Sequence, residues 1–210
     1  DSLPVSRYAF LVYFEPFDND NMVGDALEHN RSSLHLYGGR GMGRIAGMIT
    51  DLSIHEFFHI VTPLNLHSEK IAQYNFLNPE ESQHLWLYEG LTEYSSWHMQ
   101  VTQGLIKLPD FLQKIGDTHR KMQDYDANLS LTELSKNAAA KQDQYYNVYL
   151  RGALVNLCLD LRLCELSGGK YNLQKLVQDL TRKYGPDKPF NDALFFDEIA
   201  AMTYPEIRDF

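Results

Sequence analysis

Residues 54–63 read IHEFFHIVTP. On a helix, positions four apart share a face, so His55 and His59 can grip a single ion. Glu56 is rotated by about a third of a turn and can reach a water beside that ion. Two imidazoles for zinc and a carboxylate for the water make up the chemistry of the H-E-x-x-H pattern. The chain holds 8 histidines in 210 residues, so composition alone yields the pattern roughly 0.02 times per chain. A catalytic zinc site also needs a third protein ligand and one open position.

Two residues compete for the third place. His67 lies beyond Pro63, off the helix, and misses the metzincin spacing, whose glycine and histidine positions are filled here by Thr62 and Asn65. Glu89 lies in HLWLYEGLTEY (84–94) on the next helix, with Glu93 one turn later on the same face. A carboxylate at Glu93 would orient a ligating imidazole through its other nitrogen. Two such glutamates are ordinarily solvated helix charges, but the flanking Trp86, Leu87 and Leu91 favour Glu89 as the ligand. His29, His35, His84, His98 and His119 are expected on the surface or around the ligands. Trp86 and Trp97 are expected to serve as core or interface packing.

Outward from this motif, YAFLVYF (8–14) predicts a buried strand and SSLHLYG (32–38) a second one. EPFDNDN (15–21) predicts a loop. YGGRGMGR (37–44) fails both phosphate-binding glycine templates and reads as a flexible connection. Apolar spacing predicts a helix over 44–62, ended by Pro63. NPEE (78–81) carries capping signals that start a second helix, running to Gly104. A long amphipathic helix is predicted over 146–169, closed by Gly168-Gly169. Shorter helices follow at 172–185 and 193–202. The fold class is therefore α+β: a β-rich part (1–43) followed by a mostly helical part (44–210), in one unit.

The net charge of −9 argues against a nucleic-acid or anionic-membrane partner. No apolar run approaches the ~20 residues of a membrane span. Cys158 and Cys164 fall on different faces of one helix and are expected to be buried free thiols. The chain starts without an initiator Met and ends at TYPEIRDF, so it is expected to be a processed or excised piece.

HEFFH followed by LWLYEGLTEY resembles the glycyl aminopeptidase family of gluzincin zinc metallopeptidases. DALEHNRSS (25–33) is similar to that family's G-G-L-E-H-x-x-S segment. YLRGALVNLCLDLRL (149–163) is similar to its Y-x-K-G-A-L-x-x-x-x-L-D segment. The resemblance implies a thermolysin-like zincin catalytic domain over 1–210, without the family's N-terminal β-domain and C-terminal PDZ-like domain, which are expected to pack nearby. It implies one zinc ion held by His55, His59 and Glu89, with Glu56 as general base. Tyr149 would hydrogen-bond the oxyanion, with Tyr145 and Tyr146 as rivals, and Glu28 would receive the free α-amino group of a peptide substrate. It implies removal of small N-terminal residues, Gly or Ala. It is also consistent with an exported bacterial protein. Ala26 and Asp25 replace usual glycines, Arg151 replaces a lysine, and IVTPLNLHSEKI (60–71) departs from the common W-N-V-K-R-I-R-P. A broader or endo-acting peptidase of the same fold, or a non-catalytic zinc-bearing peptide-binding module, are the alternatives.

Overall fold

The computed structural model describes residues 5–15, 23–38, 42–72, 74–75 and 77–210. Most of the expected loop at 15–21 and the centre of the glycine-rich connection (39–41) lie outside the described residues. A three-stranded sheet comes first: β1 (Ala9–Glu15), β2 (Val23–His29) and β3 (Ser32–Gly38), in the order β1-β3-β2. β3 runs parallel to β1 and antiparallel to β2, with Leu34 opposite both Leu11 and Leu27. Helix α1 (Met42–Phe58) packs under β2 and β3. A Cβ on Gly24 would fall 2.0 Å from Met48 Sδ, so Gly24 faces α1. By the two-residue period, Ala26 and Glu28 face the same way. Register places Tyr37, His35 and Ser33 on that side of β3, and all three are buried.

Strand β1 exists as predicted, but it is not buried. Phe10, Leu11, Val12, Tyr13 and Phe14 are 44–57% exposed. β1 is an edge strand and α1 lies under the other two strands, so an apolar sequence here does not guarantee cover. The far face of the sheet, with Leu11, Leu27 and Leu34, is likewise exposed.

Helix α1 stops at Phe58, short of Pro63. The next amides, Ile60 and Val61, donate to carbonyls only three residues back, which tightens the chain into turns. A short α2 (Glu69–Ala72) precedes α3 (Leu85–Thr102). The capping signals at 78–81 do not start α3, which begins four residues later. Ser82 Oγ and the Gln83 backbone N–H donate to the two Asp192 carboxylate oxygens at 2.6 and 3.3 Å. His84 Nε2 donates to the Asp192 carbonyl at 2.8 Å. This anchor, 110 residues away along the chain, overrides the local caps.

The remaining helices are α4 (Leu108–Lys121), α5 (Leu131–Lys136), α6 (Asn147–Ser167), α7 (Leu173–Lys183) and α8 (Phe195–Met202). α6 ends where expected, with Gly168 in the left-handed conformation at φ 62°. α4 and α5 have no counterpart among the predicted helices. Cys158 and Cys164 are free, but Cys158 is exposed and Cys164 only half-buried; both lie away from the inner face of α6. No described helix is long and apolar enough to cross a membrane.

The core lies between α3 and α6, around Trp86, Leu87, Leu91, Val148, Ala153 and Leu163. These two helices cross backbone to backbone. A Cβ on Gly90 would fall 2.4 Å from the Gly152 carbonyl carbon, and one on Gly152 would fall 2.9 Å from the Trp86 carbonyl oxygen. Only hydrogen fits at either position. Gly90→Ala should therefore destabilise the protein by about 3 kcal/mol, read as a drop in Tm. At Gly47 of α1, a Cβ would meet nothing within 4 Å, so Gly47→Ala should raise stability by about 0.5–1 kcal/mol. Equal effects of the two substitutions would refute the close crossing.

Burial alone would raise the Asp192 carboxyl. Hydrogen bonds from Ser82, Ser68 and the Gln83 amide outweigh it and hold the group below its usual range. A depressed carboxyl contributes stability above its unfolded pKa of about 3.9, and that contribution disappears as pH falls through the lower folded value. Asp192→Asn should cost about 2 kcal/mol at neutral pH, lowering Tm by about 4–8 °C. Its deficit relative to the parent should shrink below about pH 3.9. A constant deficit down to pH 2 would refute the assignment.

Candidate active site

Helices α1 and α3 run antiparallel, and three rungs join them. His59 Nε2 lies 3.6 Å from Glu89 Oε2. One turn back along α1, His55 Nδ1 donates to Glu93 Oε2 at 2.8 Å. A further turn back, Asp51 Oδ1 accepts from Gln100 Nε2 at 2.9 Å. Asp51 and His55 share one α1 face, and His59, the first residue past the end of α1, continues it at the same four-residue spacing.

The imidazoles are fixed by their outer nitrogens. His55 Nδ1 is taken by Glu93, and His59 Nδ1 donates to the Thr62 carbonyl at 2.8 Å. Both Nε2 atoms are thereby left to face Glu89 Oε2, which is 3.4 Å from that of His55. His55, His59 and Glu89 offer ligand atoms that all lie within 4.8 Å of one another. Burial pulls the His55 pKa down, but Glu89 and Glu93 reverse this and raise it to about 10. Burial likewise opposes charge on Glu89, and His55 and His59 overcome it, leaving that carboxyl depressed. Two imidazole Nε2 atoms and a carboxylate oxygen so close together make a set that could hold a divalent cation.

A second group converges beside the first. Glu28 of β2, Glu56 and His59 bring ligand atoms within 4.8 Å of one another. Glu56 is buried, and its Oε2 has no hydrogen-bond partner among the described residues. Burial is the main cause that raises its pKa, to about 6, against the pull of the two imidazoles. Tyr8 of the N-terminal segment donates its hydroxyl to the Glu56 carbonyl at 3.2 Å. The third wall is α6. The Tyr149 ring lies 5.9 Å from that of His55 and 6.0 Å from that of Tyr145, and its hydroxyl feels the Glu89 charge. Burial, then the Glu89 charge, push the Tyr149 pKa far above its ordinary value, so the hydroxyl keeps its proton. Tyr146 stacks outside it and is exposed.

His55, Glu56, His59, Glu89, Glu93, Glu28 and Tyr149 are therefore brought into one cleft. His67 is not; its Nδ1 donates to the Pro63 carbonyl at 2.8 Å. His35 and His84 are neither surface residues nor neighbours of the ligands. Both are fully buried, His35 between Ser33 and Tyr37, and His84 on Asp192. Trp97, expected as core or interface packing, also touches the site: its Nε1 donates to Glu93 Oε1 at 3.0 Å. Its place four residues after Glu93 is the sequence signal for that contact.

Residues 48–155 match the family described as M61 glycyl aminopeptidase. The chain belongs to that family. Among similar solved structures is a crystal structure of an aminopeptidase N family protein from Idiomarina loihiensis, with a TM-score of 0.80 and 25% identity. The alignment covers 93% of this M61 chain and 36% of that one, so the chain spans little more than a third of its neighbour. None of the curated protein sequences matches it significantly. The α+β, zincin-like fold of this chain agrees with the family match and with the likeness to that aminopeptidase.

Proposed function

We propose that residues 1–210 form the thermolysin-like catalytic domain of a zinc-dependent aminopeptidase that acts on peptides with a free N-terminus. The observation that carries this reading is the paired occupancy of His55 Nδ1 and His59 Nδ1, which leaves two Nε2 atoms and Glu89 Oε2 converging. One zinc ion per chain would be held by those three groups, with Glu93 orienting His55. When bound, zinc polarises a carbonyl and lowers the pKa of water in contact with it to about 7. The preference for Gly or Ala at the N-terminus follows the family, and the whole protein would add the family's β-domain and PDZ-like domain around this one.

Glu56 takes the proton of the attacking water and passes it to the leaving amine. Its unpartnered buried oxygen and its raised pKa support that role. Tyr149 donates to the carbonyl oxygen as charge builds there, a contribution of about 10²–10³ in rate for such donors. Glu28 receives the ammonium of the substrate and thereby sets which bond reaches the centre. Its closeness to Glu56 and His59 supports a position one residue from the scissile bond.

Glu56→Gln should retain one zinc per chain by elemental analysis and lose about 10²–10⁴ in kcat. Full activity in that variant would refute the base assignment. Acetylating the N-terminus of a Gly- or Ala-starting peptide should lower kcat/KM by about 10–100-fold through loss of the charge-assisted bond to Glu28. Equal cleavage of free and blocked peptides would point instead to an endo-acting peptidase.

A further inference from the structure

The two tryptophans of this chain are both buried on α3, Trp86 at 6% and Trp97 at 3% exposure. They differ in what their indole N–H groups do. Trp86 Nε1 has no hydrogen-bond partner among the described residues. Trp97 Nε1 donates to Glu93 Oε1 at 3.0 Å, while the other oxygen of the same carboxylate accepts from His55 Nδ1 at 2.8 Å. We propose that Trp97 is a positioning residue for the metal, acting on the ligand His55 through the Glu93 carboxylate.

The argument is one of freedom removed. The terminal torsion of a glutamate is broad and nearly two-fold, and the Glu93 side chain is 28% exposed. Left alone, it can turn either oxygen to water. The indole fixes Oε1, which aims Oε2 at the imidazole. The indole is itself held in place. Lys114 Nζ stands 5.6 Å above its ring and donates at 2.9 Å to Asp51 Oδ1, which also takes the Gln100 amide. Asp51 belongs to α1, one turn before His55. The positioning chain therefore closes on the helix that carries the ligand: α1 through Asp51 and Lys114 to Trp97, then through Glu93 back to α1. An imidazole whose outer N–H is held by an oriented carboxylate is a better-placed and more basic ligand, an effect typically of 10–100-fold in metal affinity.

This inference rests on the zinc reading above, and the test separates the two. Zinc affinity is measured by competition with a chromophoric chelator, on protein stripped of metal. Trp97→Phe should weaken zinc binding about 10-fold. Trp86→Phe, the same indole-to-phenyl change elsewhere in the core, should leave it within about twofold, because that N–H has no hydrogen-bond partner among the described residues. In a Glu93→Ala background, which removes both acceptor oxygens, Trp97→Phe should cause no further loss, since its effect runs through that carboxylate. A parent protein that takes up no zinc overturns both readings. A parent that binds zinc as tightly as its Trp97→Phe variant overturns only this one, as does equal weakening by Trp86→Phe or an equal loss in both Glu93 backgrounds. A measurement on the unsubstituted protein guards against a variant that fails to fold. Of the two indole N–H resonances in its NMR spectrum, that of Trp97 should move on zinc uptake and that of Trp86 should stay. Movement of neither would overturn the proposal.

Discussion

The site depends first on a contact that contains no functional group. Where α3 crosses α6, Gly90 and Gly152 meet with no room for a Cβ on either. Glu89 immediately precedes the first glycine, and Tyr149 is three residues before the second. The crossing thus sets how near a tyrosine hydroxyl on one helix comes to a carboxylate on the other. A methyl group at either glycine would separate the backbones, and Tyr149 would withdraw from Glu89 and His55. The two glycines have a stability cost in helix propensity of about 1 kcal/mol each. The tight packing of α3 on α6 and the convergence of their polar residues offset it.

The same helix α3 serves two surfaces. One face, with Trp86, Leu87 and Leu91, goes into the core. Another, with Glu89, Glu93, Trp97 and Gln100, makes rungs to α1 and its neighbours. These polar residues are tolerated at depth because each has a partner: the imidazoles for Glu89 and Glu93, a carboxylate for the Trp97 indole, Asp51 for the Gln100 amide. A buried charge without a partner would destabilise the fold by several kcal/mol.

Much of this was legible in the sequence where chemistry and periodicity coincide. His55 and His59 are four apart and so share a face in any helix, and Glu89 and Glu93 repeat the same arithmetic on α3. Gly168 announced the end of α6 because its left-handed conformation suits glycine. Failures came where a distant partner decided the outcome. Asn78 and Pro79 carry good capping chemistry, yet Asp192 holds Ser82 to His84 outside the helix and delays α3. Phe10 to Phe14 have the composition of a core strand, but sheet order places them at an edge. His84 is held by Asp192, 108 residues away, which no local pattern reveals, whereas the partners of His35, Ser33 and Tyr37, share its strand face. Trp97 looked like core because burial and hydrogen bonding by an indole share one sequence signature.

Charge in the cleft gives the remaining step of the argument. Four carboxylates, Glu28, Glu56, Glu89 and Glu93, surround two imidazoles, and burial alone disfavours charge on His55, Glu56 and Glu89. Such a set is stable when positive charge comes from outside, since unpaired anions at this depth repel one another. On the proposed reading that charge has two sources at two places. A divalent cation lies between the imidazoles and Glu89, and the ammonium of a peptide lies at Glu28. The first stays through turnover, while the second arrives and departs with substrate. An acetylated peptide then fails for a reason beyond one lost hydrogen bond. It brings an uncharged amide to a carboxylate placed to meet a cation, and leaves that carboxylate unpaired. Preference for a free N-terminus is in this view a property of the charge balance of the whole cleft, with Glu28 as the group that expresses it.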